Sequence, residues 1–219
     1  MPHIQVSEKL ISFLTFLPIF FISLAIHEFA HAFAASKLGD NTAKDQGRLT
    51  LNPFKHADLI GTILMPIASF ASGFALIGWA KPVPVNRNNL RNEFRDDAVV
   101  SFAGPLSNFI LAILFFVVFL FMYNAADVSS PFWLNIMWYG VFFNIFLFLF
   151  NLIPLPPLDG CHILYDLYPN HLTAALLNLG FYGTIALLIL IYSPLWGLFM
   201  KLVTFILNLF LTVGSVPHA

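Results

Sequence analysis

Residues 25–33 read AIHEFAHAF, near the end of the oily run LISFLTFLPIFFISLAIHEFAHAFAAS. The residues in it that can do chemistry are His27, Glu28 and His31. On a helix, His27 and His31 lie four positions apart on one face, so both imidazoles can converge on one ion. Glu28 falls one position round from His27, beside that ion rather than on it, where it can take a proton from water. The pattern suits metal-assisted hydrolysis with Zn2+, one ion per chain. Three ionisable groups in hydrocarbon are costly unless they pair with something or bind a metal. A metal is what makes them worth keeping.

Two histidines do not complete a catalytic zinc site, which takes three protein ligands and leaves a fourth position open. Few acidic residues are placed to supply the third. Asp127 sits in a loop, and Asp166 follows the proline-rich turn by some distance. Asp159 closes LPPLDG at the far end of an apolar segment and is the best candidate. Taken alone it reads as well as an N-cap for GCHILYDL, a place that Asp fills readily.

The elements that must position these residues are membrane segments. The chain has 219 residues, 59% hydrophobic and only 10% charged, with 26 Phe. A soluble domain carries roughly 25% charged residues. Apolar stretches at 10–36, 59–79, 98–123, 132–153, 172–192 and 195–213 approach or exceed the length of about 20 residues that crosses a bilayer core. The fold expected is an all-α membrane protein, a polytopic helical bundle of about five to six membrane segments in one domain, 1–219. A signal peptide is a poor reading of the N-terminus, because Glu8 beside Lys9 spoils a positive n-region. Net charge near −1 argues against nucleic acid as a partner. The lone cysteine, Cys161, excludes an intrachain disulfide.

HExxH in a first membrane segment, GPLSN opening a later one, and NLIPLPPLDG ending the next together resemble the site-2 proteases, intramembrane zinc metalloproteases. GRLTLNPFKHADLIGTILMP and GWAKPVPVN are similar to the compact members that lack a PDZ domain. The resemblance covers about residues 10–165, the expected protease core, and leaves the apolar segments in 172–213 without a role. It implies His27, His31 and Asp159 as zinc ligands and Glu28 as catalytic base. It also implies a catalytic part for Asn108, which closes GPLSN, in positioning substrate or stabilising the oxyanion. The implied function is regulated intramembrane proteolysis: hydrolysis of peptide bonds within or next to transmembrane segments of single-span or other membrane proteins. The sequence departs from the family at DGCH, where Cys161 is either a small-residue substitute or an inhibitory or auxiliary soft ligand. Two other classes compete, a proton-relay transporter and a zinc-bound scaffold without turnover, since intramembrane His and Glu also mark proton paths.

A substrate helix must open before it is cut, and lipid cannot satisfy the amides that are freed. GWAKPVPV alternates as an edge strand would, with Pro82 and Pro84 unable to donate on one side. Trp79, Lys81, Val83 and Val85 are therefore candidate substrate-binding residues in a β-augmentation clamp; a plain rigid loop is the alternative. Asn144 and Asn151 are expected to make interhelical hydrogen bonds, and His56, His162 and His171 to lie at the interface.

The site also dictates topology. His27, His31 and Asp159 must lie at one depth, so the segments carrying them end at the same face, where 98–123 begins. The connection 38–97 leaves and returns to that face, so 59–79 dips in and turns near Ser72-Gly73 instead of crossing. Lys37, Lys44, Arg48 and Lys55 precede the dip, Lys81, Arg87, Arg91 and Arg95 follow it, and 124–131 carries no Lys or Arg. By the positive-inside rule that face is cytoplasmic, in a cell membrane.

Overall fold

The first oily run forms one helix, α1 (Pro2–Leu38), in the computed structural model, which describes residues 2–72, 78–125 and 130–216. Gly39, with φ +116°, ends it. A short helix α2 (Thr42–Asp45) and a polar stretch follow. Asp58 then starts a wide π-helical run, Leu59–Leu64, by accepting from the Ile60 and Gly61 amides, and the chain continues as α3 (Met65–Ser72). Together these are too short to cross a bilayer.

The chain comes back beside its own entry point. Trp79 N–H donates to Gly61 O at 3.0 Å, and Lys81 N–H to His56 O at 2.8 Å. The Thr62 hydroxyl donates to Trp79 O at 2.8 Å. Segment 59–79 therefore enters and leaves at one level, as a re-entrant element. Of the expected turn at Ser72-Gly73, Gly73 lies outside the described residues.

From Ala80 to Asn86 the backbone is neither helix nor strand. The expected edge strand is an unpaired extended stretch: Lys81 and Val83 precede prolines, which disfavour helix, and no strand lies beside it among the described residues. Next come α4 (Glu93–Asn124), α5 (Pro131–Asn151) and α6 (Asp159–Leu167). Asn92 caps α4 by accepting from Arg95 N–H, so the helix begins before its apolar stretch does. Then α7 (His171–Leu177) and α8 (Phe181–Ile191) meet at 86°, broken at Gly180, whose φ is +53°. The last helix is α9 (Pro194–Val213).

Four of these helices are long and apolar enough to span: 10–38 of α1, α4, α5 and α9. The bent α7–α8 pair makes up to five. With the re-entrant element, this is a polytopic helical membrane protein. The core lies along α4 and α5, where Ala112, Phe116, Val141 and Ile145 pack with Val203 and Leu207 of α9. A Cβ on Gly140 would come within 2.5 Å of the Phe115 ring, the close approach that small residues permit between membrane helices. The outer faces of these helices remain apolar; Phe121 is 76% exposed. Such surface belongs in lipid.

Candidate metal centre

Ser23, His27 and His31 recur every four residues and form one buried polar stripe on α1. The stripe faces the first turns of α4, where Gly104 leaves room for both rings. A Cβ there would lie 2.2 Å from His31 Nε2 and 2.7 Å from His27 Cε1. The two Nε2 atoms sit 3.0 Å apart. The carboxylate of Asp159 closes the group, with Oδ2 3.2 Å from His27 Nε2 and Oδ1 3.4 Å from His31 Nε2. Among the described residues these three form the one His/Cys/Asp/Glu group that could hold a metal, their ligand atoms all within 4.8 Å of one another.

The protons can be placed. Asn108 Nδ2 donates to Ser23 O at 3.3 Å and to Asn144 Oδ1 at 2.9 Å, leaving Oδ1 as a pure acceptor. His27 Nδ1 lies 2.7 Å from that Oδ1 and must carry the proton. His31 Nδ1 likewise donates to Val100 O at 2.7 Å. With both rings neutral, as metal ligands are, each Nε2 is a bare lone pair, facing the other and a carboxylate with no donor between them. Asp159 Oδ2 is buried without a hydrogen bond. Such a convergence is repulsive unless a cation stands in it. Tetrahedral zinc with bonds of about 2.0–2.1 Å separates its ligands by roughly 3.3 Å, close to the spacings seen here. These residues fit the metal.

Asp159 reaches the histidines because the chain folds back after α5. It is the first residue of α6, with Leu158 in the cap position, and makes no capping bond. The N-cap alternative does not describe it. A Cβ on Gly160 would meet the Leu152 and Ile153 carbonyls at 2.4 and 2.6 Å, so the turn returns tightly on itself. Gly183 of α8 presses on the other side of that turn, where a Cβ would lie 2.7 Å from Pro156 Cβ.

Glu28 stands off the ligand group, 9% exposed, and its Oε2 accepts from Val83 N–H at 2.8 Å. The extended stretch thus runs directly past it. Arg48 holds the near end of the stretch by donating to Lys81 O at 2.7 Å. Asn86 N–H donates to Asp40 Oδ2 at 2.7 Å at the far end. Of the four candidate substrate residues, Val83 touches Glu28. The Trp79 indole packs over Gly61, Val85 packs beside Ala35, Leu90 and Val100, and the Lys81 side chain is exposed.

Several residues lie elsewhere than expected. Both Asn108 amide donors are taken by Ser23 and Asn144, so in this arrangement none points at a developing oxyanion; Asn108 faces the back of His27. Asn144 bonds between helices as expected, also donating to Ser23 Oγ at 2.9 Å. Asn151 instead bonds within α5, to Leu147 O. Cys161 is buried beside Asp159 but is not in the ligand group, and burial pushes its thiol up, against the thiolate that a ligand needs. Asp166 pairs with Arg87, and Asp127 lies outside the described residues. His56 is buried, its Nε2 2.8 Å from Thr50 O. Val100 O escaped the sequence reading, and Gly104, which with Pro105 reads there as a helix start or bend, proves to be what makes room for the two rings. The polar stripe at 23, 27 and 31 and the glycine of GPLSN were the available signals.

The model of peptidase family M50 matches residues 15–130 and 120–191 of the chain. The chain belongs to this family, the site-2 proteases. Two relatives that match most of this chain carry the name "Putative zinc metalloprotease". One is YwhC of Bacillus subtilis, 42% identical over 185 residues, covering 80% of this chain and 78% of YwhC. The other is Rip2 of Mycolicibacterium smegmatis, 30% identical over 174 residues, covering 79% of this chain and 64% of Rip2. MJ0611 of Methanocaldococcus jannaschii, of the same name, is 36% identical over 69 residues, about a third of each chain. No solved structure matches. The protein is a multi-pass membrane metallopeptidase whose cofactor is zinc.

Proposed function

We propose that this chain is an intramembrane zinc endopeptidase that cuts within or next to transmembrane segments of other membrane proteins, in regulated intramembrane proteolysis. The observation that carries this reading is the donor-free convergence of His27 Nε2, His31 Nε2 and the Asp159 carboxylate. It lies beside Glu28, where an extended backbone passes.

His27, His31 and Asp159 would hold the ion. Bound there, zinc would supply a Lewis acid for the scissile carbonyl and would lower the pKa of water to about 7. Asn108 and Val100 O fix the tautomers and ring planes of the two histidines from behind, as partners of metal-binding imidazoles do. Glu28 takes the proton of the attacking water on its carboxylate and hands it to the leaving amine nitrogen. Val83 N–H aims the Glu28 carboxylate. A substrate helix opened into extended form, whose freed amides lipid cannot satisfy, would find acceptors in the carbonyls of residues 83–85. The amides of Trp79, Lys81, Val83 and Asn86 are already engaged. Trp79, Lys81, Val83 and Val85 line that path. The site opens toward the cytoplasmic side of the cell membrane.

The test uses purified protein in detergent with a single-span substrate. Glu28→Gln is expected to keep one zinc per chain and to lose cleavage by at least about a hundredfold, the scale of a general base. Loss of zinc from a folded Glu28→Gln protein overturns the assignment of Glu28 as base and not ligand.

A further inference from the structure

A second polar cluster lies in the same seam as the metal centre, and the reaction does not use it. On α4, Asp97, Ser101, Gly104 and Asn108 are buried at spacings of four, three and four, one stripe down the helix. Gly104 and Asn108 face the histidines; Asp97 lies farther toward the start of the helix. On α6, Asp166 is two turns past Asp159, roughly 10 Å along the axis. Asp97 and Asp166 meet across the seam, their side chains 5% and 0% exposed. Between them sits one guanidinium. Arg87 Nε is 2.9 Å from Asp97 Oδ2, and Arg87 Nη2 donates to Asp166 Oδ1.

The guanidinium is also clamped by rings. Its central carbon lies 5.6 Å from the Phe94 centroid on α4 and 5.2 Å from that of Tyr165 on α6. The two rings meet edge to face at 5.9 Å. Arg87 thus holds one acid and one ring from each helix. Its own backbone opens the short 3-10 turn Arg87–Asn89 that follows the extended stretch, next to Asn86, whose amide is fixed on Asp40. His162, half exposed, is the other charged neighbour, 3.8 Å from Asp97.

We propose that Arg87 is a positioning residue for the zinc site. By bridging Asp97 and Asp166 it sets the spacing of α4 and α6, which brings Asp159 to His27 and His31, and it ties the stretch beside Glu28 to the same seam. The inference rests on the reading of His27, His31 and Asp159 as zinc ligands.

The physical argument is one of charge in a dry place. Two buried carboxylates repel, and a single guanidinium serves both: it donates a hydrogen bond to Asp166 and pairs in charge with Asp97. Remove it and the acids are left buried and facing, with the half-exposed His162 beside Asp97 as their remaining charged neighbour, an unfavourable state. The seam relieves this by opening, and α6 carries Asp159 away. Burial and the facing Asp97 hold the Asp166 carboxyl up to about 7 against the Arg87 charge, which lowers it, so losing Arg87 raises that carboxyl further. Lysine cannot replace the fork, because a point charge does not bridge two acids in one plane.

The test measures metal affinity of the full-length protein in detergent, by competition with a chelator, and the absorption spectrum of the Co2+-substituted form. Removing partners of metal-binding groups costs about 10–100-fold in affinity. Arg87→Gln is expected to lose affinity on that scale and to alter the Co2+ bands, with Arg87→Lys intermediate. Adding Asp97→Asn and Asp166→Asn to Arg87→Gln removes the unpaired charges and is expected to recover part of the loss. Folded Arg87→Gln with wild-type affinity and spectrum overturns the proposal. So does the absence of any recovery in the triple variant. If Arg87→Gln does not fold, Arg87→Lys decides by the same two readouts. Asp159→Ala separates the two claims. If it leaves affinity unchanged, the ligand reading fails; if it alone weakens binding, only the role of Arg87 fails.

Discussion

Gly104→Ala sets helix propensity against metal geometry with opposite signs. Gly104 lies inside α4, where Ala is favoured over Gly by about 1 kcal/mol. By that measure the substitution stabilises the protein. The new Cβ, however, would fall 2.2 Å from His31 Nε2, 2.5 Å from His31 Cε1 and 2.7 Å from His27 Cε1. Ordinary contact between such atoms is about 3.5 Å, so His31 Nε2 must retreat by roughly 1.3 Å. Zinc–nitrogen bonds tolerate only about 0.2 Å. The ring is held at its other end by the 2.7 Å bond to Val100 O and cannot swing without breaking it. Losing one of three ligands and that bond together corresponds to at least about 3 kcal/mol, or a hundredfold in affinity. The expected result is a folded protein that loses zinc to a mild chelator, while its metal-free form unfolds at the wild-type temperature or above. Zinc content and thermal unfolding of both metal states, in one detergent, supply the readings. Wild-type zinc affinity in Gly104→Ala refutes the placement of His31 Nε2 against α4.

Asp159→Ala is expected to weaken zinc binding at least tenfold more than Asp166→Asn, measured as metal retained after graded chelation; equal losses refute Asp159 as third ligand. Gly183→Leu is expected to push the Pro156 turn off α8 and lower zinc affinity with little change in helix content, since even a Cβ at this position meets Pro156 at 2.7 Å. Cysteines placed at Lys44, Asn89 and Val128 in a Cys161→Ser background report topology. Only the one at Val128 is expected to react with an impermeant label from outside, and labelling at Asn89 but not Lys44 refutes the re-entrant reading of 59–79.

The two histidines and the glutamate were legible because their geometry is local: four residues of helix place two imidazoles together whatever the rest of the chain does. The re-entrant element was legible by a different route, since ligands at one depth force 59–79 to return, and hydropathy alone counts it as a crossing. Helix ends were less legible. Hydropathy starts a segment at 98, but the cap at Asn92 starts α4 at Glu93, because a side chain accepting one amide recruits a polar first turn that apolar counting ignores. Stretch 172–192 reads as one apolar run, and Gly180 breaks it with a left-handed φ that composition does not display. Residues 79–85 alternate like a strand and are extended, yet a strand needs a second chain beside it, and the described residues supply none.

Asn108 shows why motif resemblance assigns a place more safely than a task. Its amide has one acceptor and two donors, and what these touch is set by residues from 36 to 85 positions away along the chain. Ser23 on α1 and Asn144 on α5 claim both donors, and that leaves the acceptor for His27. Hydrogen bonds between membrane helices contribute on average only about 0.6 kcal/mol, because polar groups also find partners in the unfolded-in-membrane state. The buried net of Ser23, Asn108 and Asn144 is therefore a weak source of stability. Its geometric effect is larger. An Oδ1 that can only accept fixes the proton on His27 Nδ1, and so the lone pair on Nε2, while Val100 O does the same for His31. Replacing Asn108 by Asp preserves an acceptor but gives up both donors, leaving Asn144 Oδ1 without its partner and a carboxylate buried beside His27. Replacing it by Leu removes the acceptor and frees His27 to put its proton on Nε2, facing the site. The two changes predict different failures, an extra negative charge behind a correctly protonated ligand and a misprotonated ligand without one, and a single loss of activity from both would conceal that difference.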